Sequence, residues 1–169
     1  MASLAHGPGE IISYIDMCRA WNASFQRGMN FRLRPDCSVL LMSRRANAPY
    51  RDRIEEDGRV LIYEGHDAPR RKGKDPKSID QPGVTPAGKL TQNGLFQRAA
   101  GRATDLQECE RVAVYEKIHD GVWVFNGIFA LTDSWTELNG RRRVFKFRLE
   151  LLLSEPNTEP FRSPEPDRS

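Results

Sequence analysis

Three cysteines and three histidines are all that this 169-residue chain offers toward disulfide or metal chemistry. Cys18, Cys37 and Cys109 form no CxxC pair and are odd in number. That argues against a disulfide framework or a zinc site and for reduced, buried thiols in a cytosolic protein. His6, His66 and His119 are scattered, so the clustered His and Asn of a metal-dependent HNH nuclease are missing. No metal and no cofactor is expected. Long apolar runs are missing too. Nothing approaches the roughly 20 residues that cross a bilayer, and the opening MASLAHGPGE has neither the basic region nor the apolar core of a secretory leader. No membrane association is expected, and no internal repeat is visible.

What is present is a soluble globular balance, 38% hydrophobic and 29% charged, on a chain long enough for one domain. The net charge of +3 and a pI near 8.9 say little by themselves. The distribution says more. Between residues 27 and 53 stand seven arginines (Arg27, Arg32, Arg34, Arg44, Arg45, Arg51, Arg53) against two acids, Asp36 and Asp52, and no lysine. Arginine suits bidentate contacts to phosphates or base edges. From charge alone, a solvated basic face is an equally good reading.

Along the chain, apolar residues at 11, 12, 15, 18, 21 and 25 have helical spacing, with Gly28 as the stop. Residues 38–42 read as a buried strand and 59–63 as a second one after Asp57–Gly58. Residues 65–89 hold Gly, Pro, Lys, Arg and Asp with almost no apolar side chain, and a loop of that length is usually functional or disordered. Thr91 reads as the N-cap of a short helix through Leu95, Phe96 and Ala99, and Asp105 as the cap of a short turn. The last third is β-rich: 112–118, strand on both sides of Asn126–Gly127, a hairpin signal at 138–140, and period-two alternation over 144–151. The four prolines after Ser154 mark a disordered tail. The expected fold is α+β, a strongly bent sheet or barrel with a few flanking helices.

The ordered series SVLLMS, Tyr50–Arg51–Asp52, RVLIYEG, a long basic loop, DQ, KLTQNG, RVAVYEKI, FNGIFALTDSW and VFKFRLELL resembles the SRA (YDG) domain family over about residues 31–153. Phe125–Asn126–Gly127 stands where that family has Tyr-Asp-Gly, and Trp135 follows. The likeness is nearer to bacterial members, including those attached to HNH nucleases in modification-dependent restriction enzymes. The resemblance implies a PUA-like, crescent-shaped barrel. It divides the chain into an N-terminal helical segment (1–28), the modified-DNA-binding domain (29–153) and the Pro-rich tail (154–169).

It also implies a partner, double-stranded DNA carrying 5-methylcytosine or 5-hydroxymethylcytosine, whose modified base is flipped into an aromatic pocket. An extruded base needs flat partners to offset the cost of unstacking. Tyr50 and Tyr63 are the candidates, although Tyr63 reads equally as a core aromatic. The cytosine amino group needs an acceptor. Asp52 is the choice, with Glu55 or Glu56 left open. Backbone groups of Tyr63, Glu64 and Gly65 would complete the pocket. Phosphate and groove contacts are expected from Arg44, Arg45 and Asn47, from Arg70, Arg71, Lys72, Lys74 and Lys89 on the long loop, and from Arg32 and Arg34 on the opposing side. The isolated acids Asp67, Asp75 and Asp80 form no acid-x-Lys pair on a strand, so the chain is expected to be a reader and not an enzyme. It would act as a monomer on DNA, in the cytoplasm beside the nucleoid. A nuclease domain or partner, as in a restriction enzyme, and a PUA-like RNA-binding module remain the alternatives.

Overall fold

The computed structural model describes Leu4 and residues 6–43, 58–103, 105 and 108–153, together with the main chain of 53–55. The order of elements is β1 (Ile11–Ser13), α1 (Tyr14–Trp21), β2 (Gly28–Arg34), β3 (Cys37–Ser43), β4 (Arg53–Glu55), β5 (Val60–Glu64), α2 (Gln92–Gly101), β6 (Arg111–His119), β7 (Val122–Asn139) and β8 (Arg142–Leu151). The strands form one sheet in the order β2-β3-β6-β7-β8-β5-β4, with β1 added on β7. Every ladder among the described residues is antiparallel except β3–β6. The sheet curls into a half-barrel, so the fold is an α+β crescent. None of the described helices is long and apolar enough to cross a membrane.

The central strand β7 explains the curl. Its first half pairs with β6 and its second half with β8. Its register shifts opposite Val114/Tyr115, where Gly127 takes φ +115°, and again between Leu131 and Asp133. Such bulges bend a strand and increase its twist. The two strand readings flanking Asn126–Gly127 are therefore one 18-residue strand carried through a bulge.

The run 38–42 is apolar without alternation because β3 is covered on both faces. On one face Leu40 and Met42 join Val112, Val114, Phe129, Leu131, Phe147 and Leu149 around Phe96 of α2. On the other, Val39 and Leu41 join Ala113, Tyr115 and Phe125 under Met17 and Trp21 of α1. Fully burying a side chain such as Phe96 stabilises by about 1.5–3 kcal/mol. Dense cover on both faces thus fixes the middle of the sheet.

The first helix is shorter than its spacing predicts. Ile11–Ser13 pair with β7, Ser13 caps the helix by accepting from Asp16 N at 3.1 Å, and Asn22 ends it in the left-handed region (φ +50°). The helical reading of 11–25, stopped at Gly28, is corrected to 14–21; Gly28 instead opens β2. The second helix matches its expected cap, with Thr91 Oγ1 accepting from Gly94 N at 3.2 Å. Asp105 also caps its turn, its carboxylate accepting from Glu108 N at 3.1 Å.

Gly94 makes a specific prediction. A Cβ there would stand 2.2 Å from the carbonyl oxygen of Gly83, a main-chain atom of the long loop. Alanine is the better helix former by close to 1 kcal/mol, yet Gly94→Ala is expected to lower stability by about 1–3 kcal/mol through overpacking. A thermal melt decides between them, and an unchanged or raised midpoint would mean that loop and helix do not touch as described.

Candidate nucleic-acid interface

Beyond Glu64, the chain leaves the β8 ladder and enters the long loop. Tyr63 lies in the core beside Leu61, Phe145 and Phe147, with its hydroxyl reaching toward Gly28 at the start of β2. Glu64 is buried opposite Lys146, whose Nζ is 3.1 Å from Glu64 Oε1 and 3.8 Å from Glu137 Oε1. Gly65 donates its N–H to Phe145 O at 2.9 Å and accepts at its C=O from Gln81 Nε2 at 2.7 Å. The main-chain groups of Gly65, expected to face a base, each make a bond within the protein. A Cβ at this position would stand 2.4 Å from Asn93 Oδ1 and 2.9 Å from Phe145 Cβ, so what needs the glycine is close packing against α2 and β8.

His66 fastens the same segment. Its N–H donates to Asn93 Oδ1 at 2.8 Å, its carbonyl accepts from Asn93 Nδ2 at 2.9 Å, and its Nε2 accepts from Met29 N at 3.0 Å. Burial holds the imidazole below its ordinary pKa, which favours the neutral ring that this accepting Nε2 requires.

The loop that follows is anchored by Asp67. Its carboxylate takes Lys77 Nζ at 2.6 Å, Arg142 Nη1 at 2.7 Å and Gln81 Nε2 at 3.1 Å. Burial works against the charge, yet these donors hold the carboxyl below its usual range. Gln81 also inserts between β5 and β8: Oε1 accepts from Phe145 N at 2.8 Å while Nε2 serves Gly65 O. One side-chain amide thus replaces a rung of the ladder where β5 ends. Between these anchors the chain makes a small turn, with Arg71 bridged to Lys74 and Gly73 at φ +80°. Arg70, Arg71, Lys72 and Lys74 are exposed there and line one open concavity with Gly73, Asp75 and Pro76. Among the described residues their cationic groups have no ion-pair partner, and neither has that of Lys89, which is exposed on the turn at 85–89.

The opposing arginines have other work. Arg32, at φ +44° in a bulge of β2, forks onto Glu110 (Nη2–Oε2 3.1 Å). The guanidinium of Arg34 lies 4.5 Å from the Trp21 ring centroid and donates to Ala20 O, tying β2 to the end of α1. Arg34, expected to meet DNA from the opposing side, thus has its planar face and one of its donors engaged within the protein. Arg44, Arg45, Asn47, Tyr50, Asp52 and Glu56 lie outside the described residues, and Glu55 is described only as main chain in β4.

Sequence reasoning misses the anchors, because Asp67, Asp75 and Asp80 read there only as isolated acids. Asp67 is the hub of the loop, Asp75 caps the 3-10 turn Pro76–Ser78, and Asp80 Oδ1 accepts Arg143 N at 2.7 Å. Among the described residues, no group of three His, Cys, Asp or Glu is placed to hold a metal. The one signal for Gln81 is its place in the DQ pair of the family series.

No protein-family model and no curated protein matches the chain. Solved structures do. The SRA domain of SUVH5 in complex with hemi-methylated CG DNA matches with a TM-score of 0.61 at 19% identity, over 90% of this chain and 92% of that one. The same domain bound to fully hydroxymethylated CG DNA matches with a TM-score of 0.63 at 20% identity, over 90% and 93%. This chain has the SRA-like fold. KRYPTONITE, solved with mCHH DNA, a histone H3 peptide and SAH, matches with a TM-score of 0.56 at 13% identity; the likeness covers 92% of this chain and 34% of that longer one. These likenesses each cover nine-tenths or more of the present chain.

Proposed function

We propose that this protein is a non-catalytic reader of double-stranded DNA containing 5-methylcytosine or 5-hydroxymethylcytosine, which it binds by flipping the modified base out of the duplex. The observation that carries the reading is the match of nearly the whole crescent to SRA domains solved with methylated and hydroxymethylated DNA. Exposed cations on an anchored loop beside the end of β5 support it, because phosphate contacts supply most of the affinity of such proteins.

In this reading Tyr50 stacks on the extruded base, Tyr63 takes its other face only by turning out of the core beside Leu61, Phe145 and Phe147, and Asp52 accepts from its amino group. Glu55 and Glu56 are the alternatives to Asp52. Glu64 and Gly65 hold the pocket wall in place through β8 and Gln81. Arg44, Arg45, Asn47, Arg70, Arg71, Lys72, Lys74 and Lys89 contact the backbone and grooves, and Arg32 joins them only by leaving Glu110. The protein acts as a monomer. It resembles the recognition half of a bacterial modification-dependent restriction system, with cleavage supplied by a nuclease domain or partner.

The test is fluorescence anisotropy on one duplex in unmodified, 5-methylcytosine and 5-hydroxymethylcytosine forms at fixed salt. A modified form is expected to bind about tenfold or more tightly, the scale set by a small apolar recess for one methyl group. Asp52→Ala should reduce binding to the modified duplex more than to the unmodified one. Equal affinity for all three duplexes would leave a basic nucleic-acid binder and remove the reader.

A further inference from the structure

The long loop is not the only basic arm at its end of the molecule. The β7–β8 hairpin turns at Gly140 (φ +67°) and carries Arg141, Arg142 and Arg143 in succession. The middle one is buried, turned into the protein against Asp67, and its Nη1 also donates to Pro76 O at 3.2 Å. Its two neighbours are exposed, and among the described residues their guanidinium groups have no ion-pair partner. The carboxylate beside them, Asp80, takes the main-chain N–H of Arg143 and not its guanidinium.

Pro76 lines the same concavity as Arg70, Arg71, Lys72 and Lys74. Arg142 therefore fastens the hairpin tip to the basic loop, and Gln81 N adds a bond to Arg143 O at 2.9 Å. Chain segments some seventy residues apart in sequence meet as one basic end. It holds eight cations (Arg70, Arg71, Lys72, Lys74, Lys77 and the three hairpin arginines) against three carboxylates (Asp67, Asp75 and Asp80). Asp67 is neutralised by Lys77 and Arg142.

We propose that the β7–β8 hairpin tip is a second phosphate-binding arm, in which Arg141 and Arg143 grip the sugar-phosphate backbone of the same duplex beside the loop. It rests on the DNA-binding part of the reading above and adds two arginines which that reading leaves out. A duplex suits two arms held together by a buried ion pair, because it presents one negative charge per roughly 1.7 Å of axis. Arginine fits because its fork takes phosphate oxygens two at a time. With the two tips already joined, their spacing is set before the duplex arrives.

The experiment compares the parent with R141A/R143A on modified and unmodified forms of one duplex over a series of salt concentrations. Both residues are exposed and Arg142 is kept, so the fold should survive, and a thermal melt checks that it does. The slope of log K against log salt is expected to fall by about 0.9 for each phosphate no longer neutralised, so by nearly two. The ratio of modified to unmodified affinity should stay within about twofold, because backbone recognition carries no base information. A variant with the parent's slope and affinity on both duplexes would overturn the arm. If the parent showed no preference for modified DNA while R141A/R143A still flattened the slope, the arm would stand and the reading of the modified base would fall.

Discussion

Lys146→Met is expected to destabilise the protein by about 3–5 kcal/mol, the range seen when one partner of a buried ion pair is removed. Lys146 and Glu64 face each other across β8 and β5, with side chains 7% and 1% exposed. Val60, Ile62 and Val144, all buried, share that face by strand alternation. Without Lys146, the buried Glu64 carboxylate loses the ammonium 3.1 Å from it. Against a typical stability of about 5–15 kcal/mol the loss is large. Urea unfolding measures it as a lower midpoint with the slope m unchanged. The double variant Glu64→Leu/Lys146→Met should recover most of the loss, because well-packed apolar replacements of buried pairs are often neutral. A single variant within about 1 kcal/mol of the parent would show that solvent screens the pair.

Asp67→Ala should cost about 3 kcal/mol. Lys77, 37% exposed at its side chain, can turn to water, but Arg142, 5% exposed, keeps among the described residues only the carbonyl of Pro76. The variant should also bind DNA more weakly, because a loop released from β8 must be ordered at the moment of binding. Acid titration gives a second readout. In the folded protein Asp67 titrates below its ordinary value of 3.8. Its stabilisation is therefore present above that value and is lost as the pH falls through the lower folded one. The parent should show this acid loss and Asp67→Ala should lack it. A variant with the parent's urea midpoint and acid limb would mean that Lys77 and Arg142 do not depend on the carboxylate.

Much of the frame is legible in the sequence because its signals are local. Thr91 before a helical run, the Asn139–Gly140 turn and the alternation after Val144 each sit within a few residues of what they specify. The helix at 14–21 is overextended by its spacing because Ile11 and Ile12 fit the pattern, while their pairing with Val124 and Trp123 is invisible in the local sequence. The strand 144–151 looks half-buried because Lys146 and Arg148 read as a polar face, yet Lys146 is buried by a partner more than eighty residues earlier. For the same reason Asp67, Gln81 and Arg142 pass as loop polarity: each matters through a partner that it meets only after the crescent closes. Tyr63 is open to two readings in the sequence. Its burial establishes the core role, while its place at the end of β5 keeps it beside the proposed pocket.

The single parallel step among the described strands has a consequence for how such a protein can change. After β3 the chain departs to the far edge, forms β4 and β5, and returns through the long loop and α2 to lay β6 beside β3. Two of the stretches proposed to meet DNA, 44–52 and 66–89, fall within that excursion. Closing a longer excursion adds only about 0.6 kcal/mol per doubling of loop length. Insertions or deletions at 44–52, or between Asp67 and Gln81, leave the pairing of β2, β3, β6, β7 and β8 in register. The segments that choose the ligand can therefore be lengthened, trimmed or exchanged over evolutionary time while the frame that presents them is inherited intact.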